Sequence, residues 1–348
     1  MDLMTVIGWP VIKIAVIANV ALMMVALLVW MERRIAALIQ DRLGPNRVGP
    51  LGLLQPVADV IKLFLKEDLT PGHVNKPFFI LAPALTMMPA IICLAVIPFG
   101  ATLLIADLDI GILFIFAISS IAVYGITIGG WASNSKYSLL GGIRSTAQMI
   151  SYEICLGLSV IGIFMLSKTL RLQDVVAMQG DGIWLFGEHY TGIVGRLLDW
   201  NIFKQPIGFI LFMIAGFAET NRTPFDLAEA EQELAAGFHT EYASMKFALY
   251  FLGEYAAMIS IGAITVTLYL GGWTCFGLEN LGGSWAWLIQ VLIFMVKLLA
   301  LQFFFIWVRW TIPRFRYDQL MRLGWQVLLP IGLANILLTG ALKLIFQV

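Results

Sequence analysis

Eight long apolar runs decide what this chain can become. They lie near 10–31, 77–99, 110–130, 148–167, 206–219, 246–270, 285–309 and 325–346. Crossing a bilayer's hydrocarbon core takes about 20 mostly apolar helical residues. In lipid every backbone polar group must be satisfied within the protein, so only helices and closed barrels span. These runs are too long for barrel strands and do not alternate as such strands do. The expected fold is an all-α polytopic membrane protein, with about eight transmembrane helices in one membrane domain over 1–348. Composition agrees, with 60% hydrophobic and 13% charged residues, against roughly 45–50% and 25% in soluble domains. The fifth run is short and ends on Glu219, which implies a tilt or a continuation past the acid where protein surrounds it. The opening MDLMTVIGWP enters an apolar run without a basic stretch or small-residue cleavage site, so the first run is expected to be retained as a helix.

Charge placement sets the expected sidedness. One set of connections, around 32–76, 131–147, 220–245 and 310–324, is long and basic. With its flanks it carries about three times the lysine and arginine of the other side, which holds Lys168, Arg171, Arg196, Lys204 and Lys343. The basic set is expected in the cytoplasm, with 168–205 as a long periplasmic connection that has room for a short interfacial helix. Net charge is zero, which offers no field for nucleic acid. Cys93, Cys155 and Cys275 are far apart and have no metal-ligand spacing, and His73, His189 and His239 all lie outside the apolar runs. No metal site and no redox centre are therefore expected in this chain. Gly129–Gly130 and Gly141–Gly142 lack the context of a phosphate site and fit turns or close helix packing.

The stretch Leu53–Lys66 is too short to span. Val57, Val60, Ile61, Phe64 and Leu65 share one helical face, and Asp59, Lys62 and Lys66 share the other. It reads as an amphipathic helix begun by Pro56 and lying in the membrane interface.

Acids inside or at the ends of spans are the sharpest chemical signal, since a carboxylate at the bilayer centre costs at least about 2.5–3.5 kcal/mol. Glu32 ends the first run, Glu153 sits in SYEIC, Glu219 ends the fifth run and Glu254 sits in GEYAAM, while Lys297 lies inside the seventh. Separated carboxylates in one bundle suggest a hydrated proton path. The loop after the fifth run, ETNRTPFDLAEAEQELAAGFHTEY, adds Asp226, Glu229, Glu231 and Glu233. Thr223–Pro224 predicts a helix start there, with Asp226, Glu229 and Glu233 on one face, Glu231 pointing elsewhere and Gly237 ending the helix. The only cation near that loop in sequence is Arg222. Arg309, Arg314, Arg316 and Arg322 supply counter-charge for this loop, for carboxylates of a docked partner, or for anionic lipid.

Three stretches carry a family resemblance: ERRIAALIQDRLGPNRVGPLGLLQPVADVIKLFLKE at 32–67, AETNRTPFDLAEAEQELAAGFHTEY at 218–242 and PRFRYDQLMRLGW at 313–325. They resemble the signature loops of the NuoH family, the quinone-chamber membrane subunit of respiratory complex I (NADH:quinone oxidoreductase). The resemblance covers the hydrophobic layout from Glu32 to the last run. It departs from the family in a longer connection around 168–205 and in His239, where many relatives carry asparagine.

The resemblance implies a subunit of a proton-pumping enzyme that holds no redox cofactor itself and has quinone as its substrate. FMN and iron–sulfur clusters would reside in partner subunits. Hydrophilic iron–sulfur and quinone-site subunits would dock on the cytoplasmic side, with small membrane subunits and antiporter-like subunits beside it in the bilayer. Quinone would enter near the first run, the helix at 56–66 and the sixth run. Glu219, Asp226, Glu229, Glu231, Glu233, Glu254 and Glu153 would form the proton path, and Glu32, Arg33 and Arg314 would line the chamber or its docking surface. The membrane would be a bacterial inner membrane or, as the alternative, a mitochondrial inner one. Two other readings compete. A membrane-bound hydrogenase or formate hydrogenlyase carries a related anchor, and a stand-alone cation transporter would call for internal repeats, which the acid-bearing segments lack.

Overall fold

In a computed structural model the chain is described over residues 8–180, 182–185, 188–190, 192–227, 235–278 and 283–346. Each apolar run becomes a helix. We number the helices α1 (Trp9–Ile39), α2 (Gln55–Leu65), α3 (Lys76–Cys93), α4 (Gly111–Ala132), α5 (Lys136–Ser167), α6 (Leu172–Ala177), α7 (Ile193–Leu198), α8 (Asn201–Lys204), α9 (Pro206–Glu219), α10 (Ser244–Tyr269), α11 (Ala286–Thr311), α12 (Tyr317–Arg322) and α13 (Leu329–Phe346). Among the described residues, seven stretches are long and apolar enough to cross a membrane, the last being the near-continuous Tyr317–Ile345. The protein is a polytopic, all-helical membrane protein apart from one small ribbon.

The fifth run forms α9, whose 14 residues rise about 21 Å, short of the roughly 30 Å hydrocarbon core. The helix does not continue past the acid. Asn221 takes φ +49° and turns the chain. Gln148 of α5 donates to Ala218 O at the helix end and to Phe225 O beyond it, both at 2.7 Å, so a side chain rather than another helical turn satisfies these carbonyls.

Small residues set the packing. α3 packs against α4 and α10, and α5 packs against α4 and α9. A Cβ on Gly130 would lie 2.6 Å from Ser138 O of α5, and one on Gly141 would lie 2.9 Å from the Gly237 backbone. The two glycine pairs therefore serve close helix approach. The 131–147 stretch is almost wholly helical, because α4 runs to Ala132 and α5 begins at Lys136.

The expected amphipathic helix is α2. Its apolar face, Val57, Val60, Ile61 and Phe64, is exposed, while Asp59 turns inward to Arg33 of α1 at 2.6 Å. An apolar face left outward beside a bundle of spans is the arrangement of a helix in the membrane interface. Its C-terminal end is held by Ser244, whose hydroxyl donates to Leu63 O and Lys66 O at 2.9 and 3.0 Å.

At the opposite end, the 168–205 connection holds α6, α7, α8 and an antiparallel ribbon of β1 (Ile183–Leu185) and β2 (Glu188–Tyr190). Lys297, placed by sequence well within the seventh run, reaches this end. Its ammonium donates to Leu270 O, Gly272 O and Thr274 O at 2.6, 3.0 and 2.6 Å and lies 4.3 Å from the Trp200 ring centre. An intramembrane cation is thereby spent on carbonyls just past α10. Lys297→Met should cost about 2 kcal/mol, since hydrogen bonds to charged groups contribute about 1.5–3 kcal/mol. Thermal unfolding followed by dye labelling of the buried Cys93 and Cys155 reads this as an earlier midpoint.

Candidate functional site

The chemistry gathers where α1, α9, α10 and α11 meet at the α2 end. Glu32, near the end of α1, is 7% exposed and Arg222, just after α9, is 3% exposed. Arg222 Nη1 donates to Glu32 Oε2 at 3.1 Å, and the Tyr255 hydroxyl of α10 donates to the same oxygen at 2.7 Å. Arg309, in the last turn of α11, donates to Glu32 Oε1. The other arm of Arg222 lies 3.5 Å from Glu254 Oε2, and its guanidinium covers the Tyr255 ring at 4.2 Å. Burial works against the Arg222 charge, but Tyr255, Glu32 and Glu254 together hold the guanidinium above its ordinary value. Two acids and two arginines thus balance in a largely dehydrated cluster, in which any added charge must be answered by rearrangement or proton transfer.

The segment that follows Arg222 corrects one expectation. Thr223–Pro224 does not start a helix. The peptide bond between them is cis, and the described residues 222–227 are non-helical. Long-range partners take the polar groups that a helix start would have used. Thr223 Oγ1 donates to Arg309 O at 3.2 Å, Phe315 N donates to Pro224 O at 3.0 Å, and Arg314 donates to Asp226 Oδ2 at 2.6 Å. Asp226 is therefore a partner of Arg314 rather than the first acid of a helical face. Gly237 opens a short 3-10 turn at φ +59°. Glu229, Glu231 and Glu233 lie outside the described residues.

Glu219 is placed differently from its neighbours. It is 8% exposed, and its Oε2 makes no hydrogen bond among the described residues. It borders two cavities. One, of about 60 Å³, is also lined by Glu153, Ser119 and Ser260; the other, of about 40 Å³, by Glu254, Asn221 and Tyr250. The cavities share Thr86, Ala122, Met149, Glu219 and Ala257 as walls. One water needs roughly 10–15 Å³ of such space, so each has room for a short water chain between carboxyl groups. Glu219 thus shares one cavity with Glu153 and the other with Glu254, and Glu254 is joined to Glu32 through Arg222.

Of the residues singled out in the sequence, the structure brings together Glu32, Glu254, Glu219 and Glu153, and it adds Arg222 and Arg309 as counter-ions. Arg33 stands apart, holding α2, and Arg314 holds the 224–226 turn. Sequence reasoning did not single out Gln148, which binds Ala218 O, Phe225 O and Asn221 and so shapes the turn around Arg222. An amide at the edge of an apolar run was the available signal. Among the described residues no group of His, Cys, Asp and Glu is arranged to hold a metal.

The sequence model of the family described as NADH dehydrogenase matches residues 12–340. Geobacter metallireducens has two numbered H subunits of NADH-quinone oxidoreductase, and the chain is 52% identical to the first of them over 337 residues, 94% of each chain. It is 52% identical over 337 residues, again 94% of each, to the second such H subunit of Geobacter sulfurreducens. Over 360 residues, all of both chains, it is 45% identical to the NADH-quinone oxidoreductase H subunit of Flavobacterium psychrophilum.

Proposed function

The chain belongs to the NADH dehydrogenase family as the H subunit of NADH-quinone oxidoreductase, a component of complex I, and on that premise we propose that it forms the membrane wall of a quinone chamber and the first stretch of a proton path. The observation that carries this reading is the cluster of the buried Glu32 and Arg222 with the partly buried Arg309, joined through Glu254 to the two cavities around Glu219. The exposed apolar face of α2 beside α1 and α10 supports entry of an apolar quinone from the lipid at this end.

Reduction of a quinone to a quinol takes two electrons and two protons. Electrons arriving ahead of protons place negative charge beside a cluster whose own charges cancel. Arg222 and Arg309 are drawn toward it, which weakens their hold on Glu32 and Glu254. A proton taken up by either carboxyl group restores balance. The water-sized cavities then offer the shift a route past Glu219 to Glu153, away from the chamber. In this reading Glu219, Asp226, Glu229, Glu231, Glu233, Glu254 and Glu153 serve the proton path. Glu32 faces the chamber, while Arg33 and Arg314 fix α2 and the loop at its rim.

The cytoplasmic side is the α2 end of a bacterial inner membrane, where hydrophilic iron–sulfur and quinone-site subunits dock. Flavin and iron–sulfur clusters sit in those partners. Small membrane and antiporter-like subunits receive the proton signal on the Glu153 side.

Glu254→Gln in the assembled complex tests the link between cluster and cavities. It removes one of the two acids facing Arg222 while keeping side-chain size. NADH oxidation by artificial acceptors should stay at the wild-type rate, while inhibitor-sensitive quinone reduction coupled to pumping in proteoliposomes falls by about tenfold or more, below the usual yield of a proton-transfer group. Wild-type coupled turnover in this variant would remove Glu254 from the path.

A further inference from the structure

A third cavity lies away from these acids. It is a groove of about 720 Å³ between α9 and α11, floored by the buried Phe217 and Leu301. From Lys297 to Val308 it follows twelve residues of α11, about 16 Å over the eleven rises of 1.5 Å between them, which is close to one leaflet of a roughly 30 Å core. At its α2 end the wall is made by Pro224, Phe225 and Phe315, the back of the turn that follows Arg222.

The lining says what the occupant is. Lys297 is its one charged residue, and that ammonium is turned to the three carbonyls past α10, leaving only its methylene stem to the groove. The other lining side chains are apolar, so a quinone ring would find no donor for its carbonyl oxygens. A hydrocarbon chain loses nothing there. The groove is continuous with the exposed apolar surface of α9 and α11, including Ile210, Val296 and Phe304, which in a polytopic membrane protein meets lipid tails. Beyond the α2-end rim formed by Ile312 and Phe315, the chain places Arg316 and Arg322, both exposed, with Asp318 as the acid between them. Trp310 and Trp325 are exposed in the same stretch, as aromatic residues are at headgroup depth.

We propose that this groove is the seat of one resident anionic phospholipid. An acyl chain lies along α11 and α9, and the phosphate is held by Arg316 and Arg322. Between lipid and groove there is no hydrophobic driving force. What distinguishes this lipid from its neighbours is dispersion contact on several sides instead of one, together with the paired cations at the head. The head-side stretch of the acyl chain also supports Pro224 and Phe225, so the lipid braces the turn that positions Arg222 and Asp226.

The test uses the intact complex reconstituted with phosphatidylglycerol that bears a photoactivatable diazirine in its acyl chain, followed by peptide mapping. Label should concentrate on 209–217 and 297–315. Unlabelled phosphatidylglycerol should compete it away better than phosphatidylcholine does. Ala300→Trp, which fills the groove, should lose this label, and Ile210→Trp at its mouth serves if the first variant fails to assemble. Arg316→Gln with Arg322→Gln should keep the label but abolish the preference for phosphatidylglycerol. Three outcomes would overturn the proposal. One is label spread evenly over the exposed α11 face and insensitive to Ala300→Trp, which means bulk lipid only. Another is no lipid label and a cross-link to a neighbouring subunit. The third is displacement of the phospholipid by a quinone with a photoreactive tail.

Discussion

Glutamine at position 219 is expected to leave NADH oxidation by artificial acceptors unchanged while quinone-coupled proton translocation falls by on the order of 10²-fold, the low end of what a positioned proton-transfer group contributes. The two side chains are nearly equal in size, so the walls shared by the two cavities stay in place. Glu219 Oε2 makes no hydrogen bond among the described residues, so the exchange strands no partner of that oxygen and should leave assembly intact. What is lost is the ability to take up and release a proton at the carboxyl group that borders both cavities. Proton translocation in proteoliposomes, measured beside flavin-site activity in the same preparation, separates this from a general defect. An assembled Glu219→Gln complex that pumps normally would show that protons pass elsewhere.

Arg222→Met should do the opposite and damage the fold itself. Arg222 is 3% exposed and answers both Glu32 and Glu254. Methionine fills much of the same space but leaves the buried Glu32 and the partly buried Glu254 with Arg309 as the remaining cation of the cluster. Breaking a buried pair from one side costs about 3–5 kcal/mol, most of it from the charge left behind. The expected result is a lowered unfolding midpoint and poor incorporation into the complex. Pairing Arg222→Met with Glu254→Gln removes one of the stranded charges and should recover part of the loss. Arg222→Lys keeps the charge but has one nitrogen where two are used, so it should fall between wild type and Met. A double variant no more stable than Arg222→Met alone would mean that the guanidinium stacked on Tyr255, and not its charge balance, carries the effect.

Much of this protein can be read along the chain because lipid acts on local composition. A run of about 20 apolar residues becomes a spanning helix whatever its neighbours are, and among the described residues seven of the eight runs form helices long and apolar enough to do so. The amphipathic period of 55–65 is equally local, and α2 follows it. Four acids were visible as individual exceptions in or beside apolar runs: Glu32, Glu153, Glu219 and Glu254.

Tertiary structure decided which of these acids meet and on what terms. Glu32 is matched by Arg222 and Arg309, which are 190 and 277 positions away, and no local rule selects such partners. The Thr223–Pro224 segment has the local signs of a helix start, but Arg309, Arg314 and Phe315 from the far end of the chain take up its polar groups and hold it as a turn. Glu219 and Asp226 look alike in sequence. Packing pairs Asp226 with an arginine and gives Glu219 two cavities instead, because solvation of a charged group depends on what the whole bundle brings within a few ångströms.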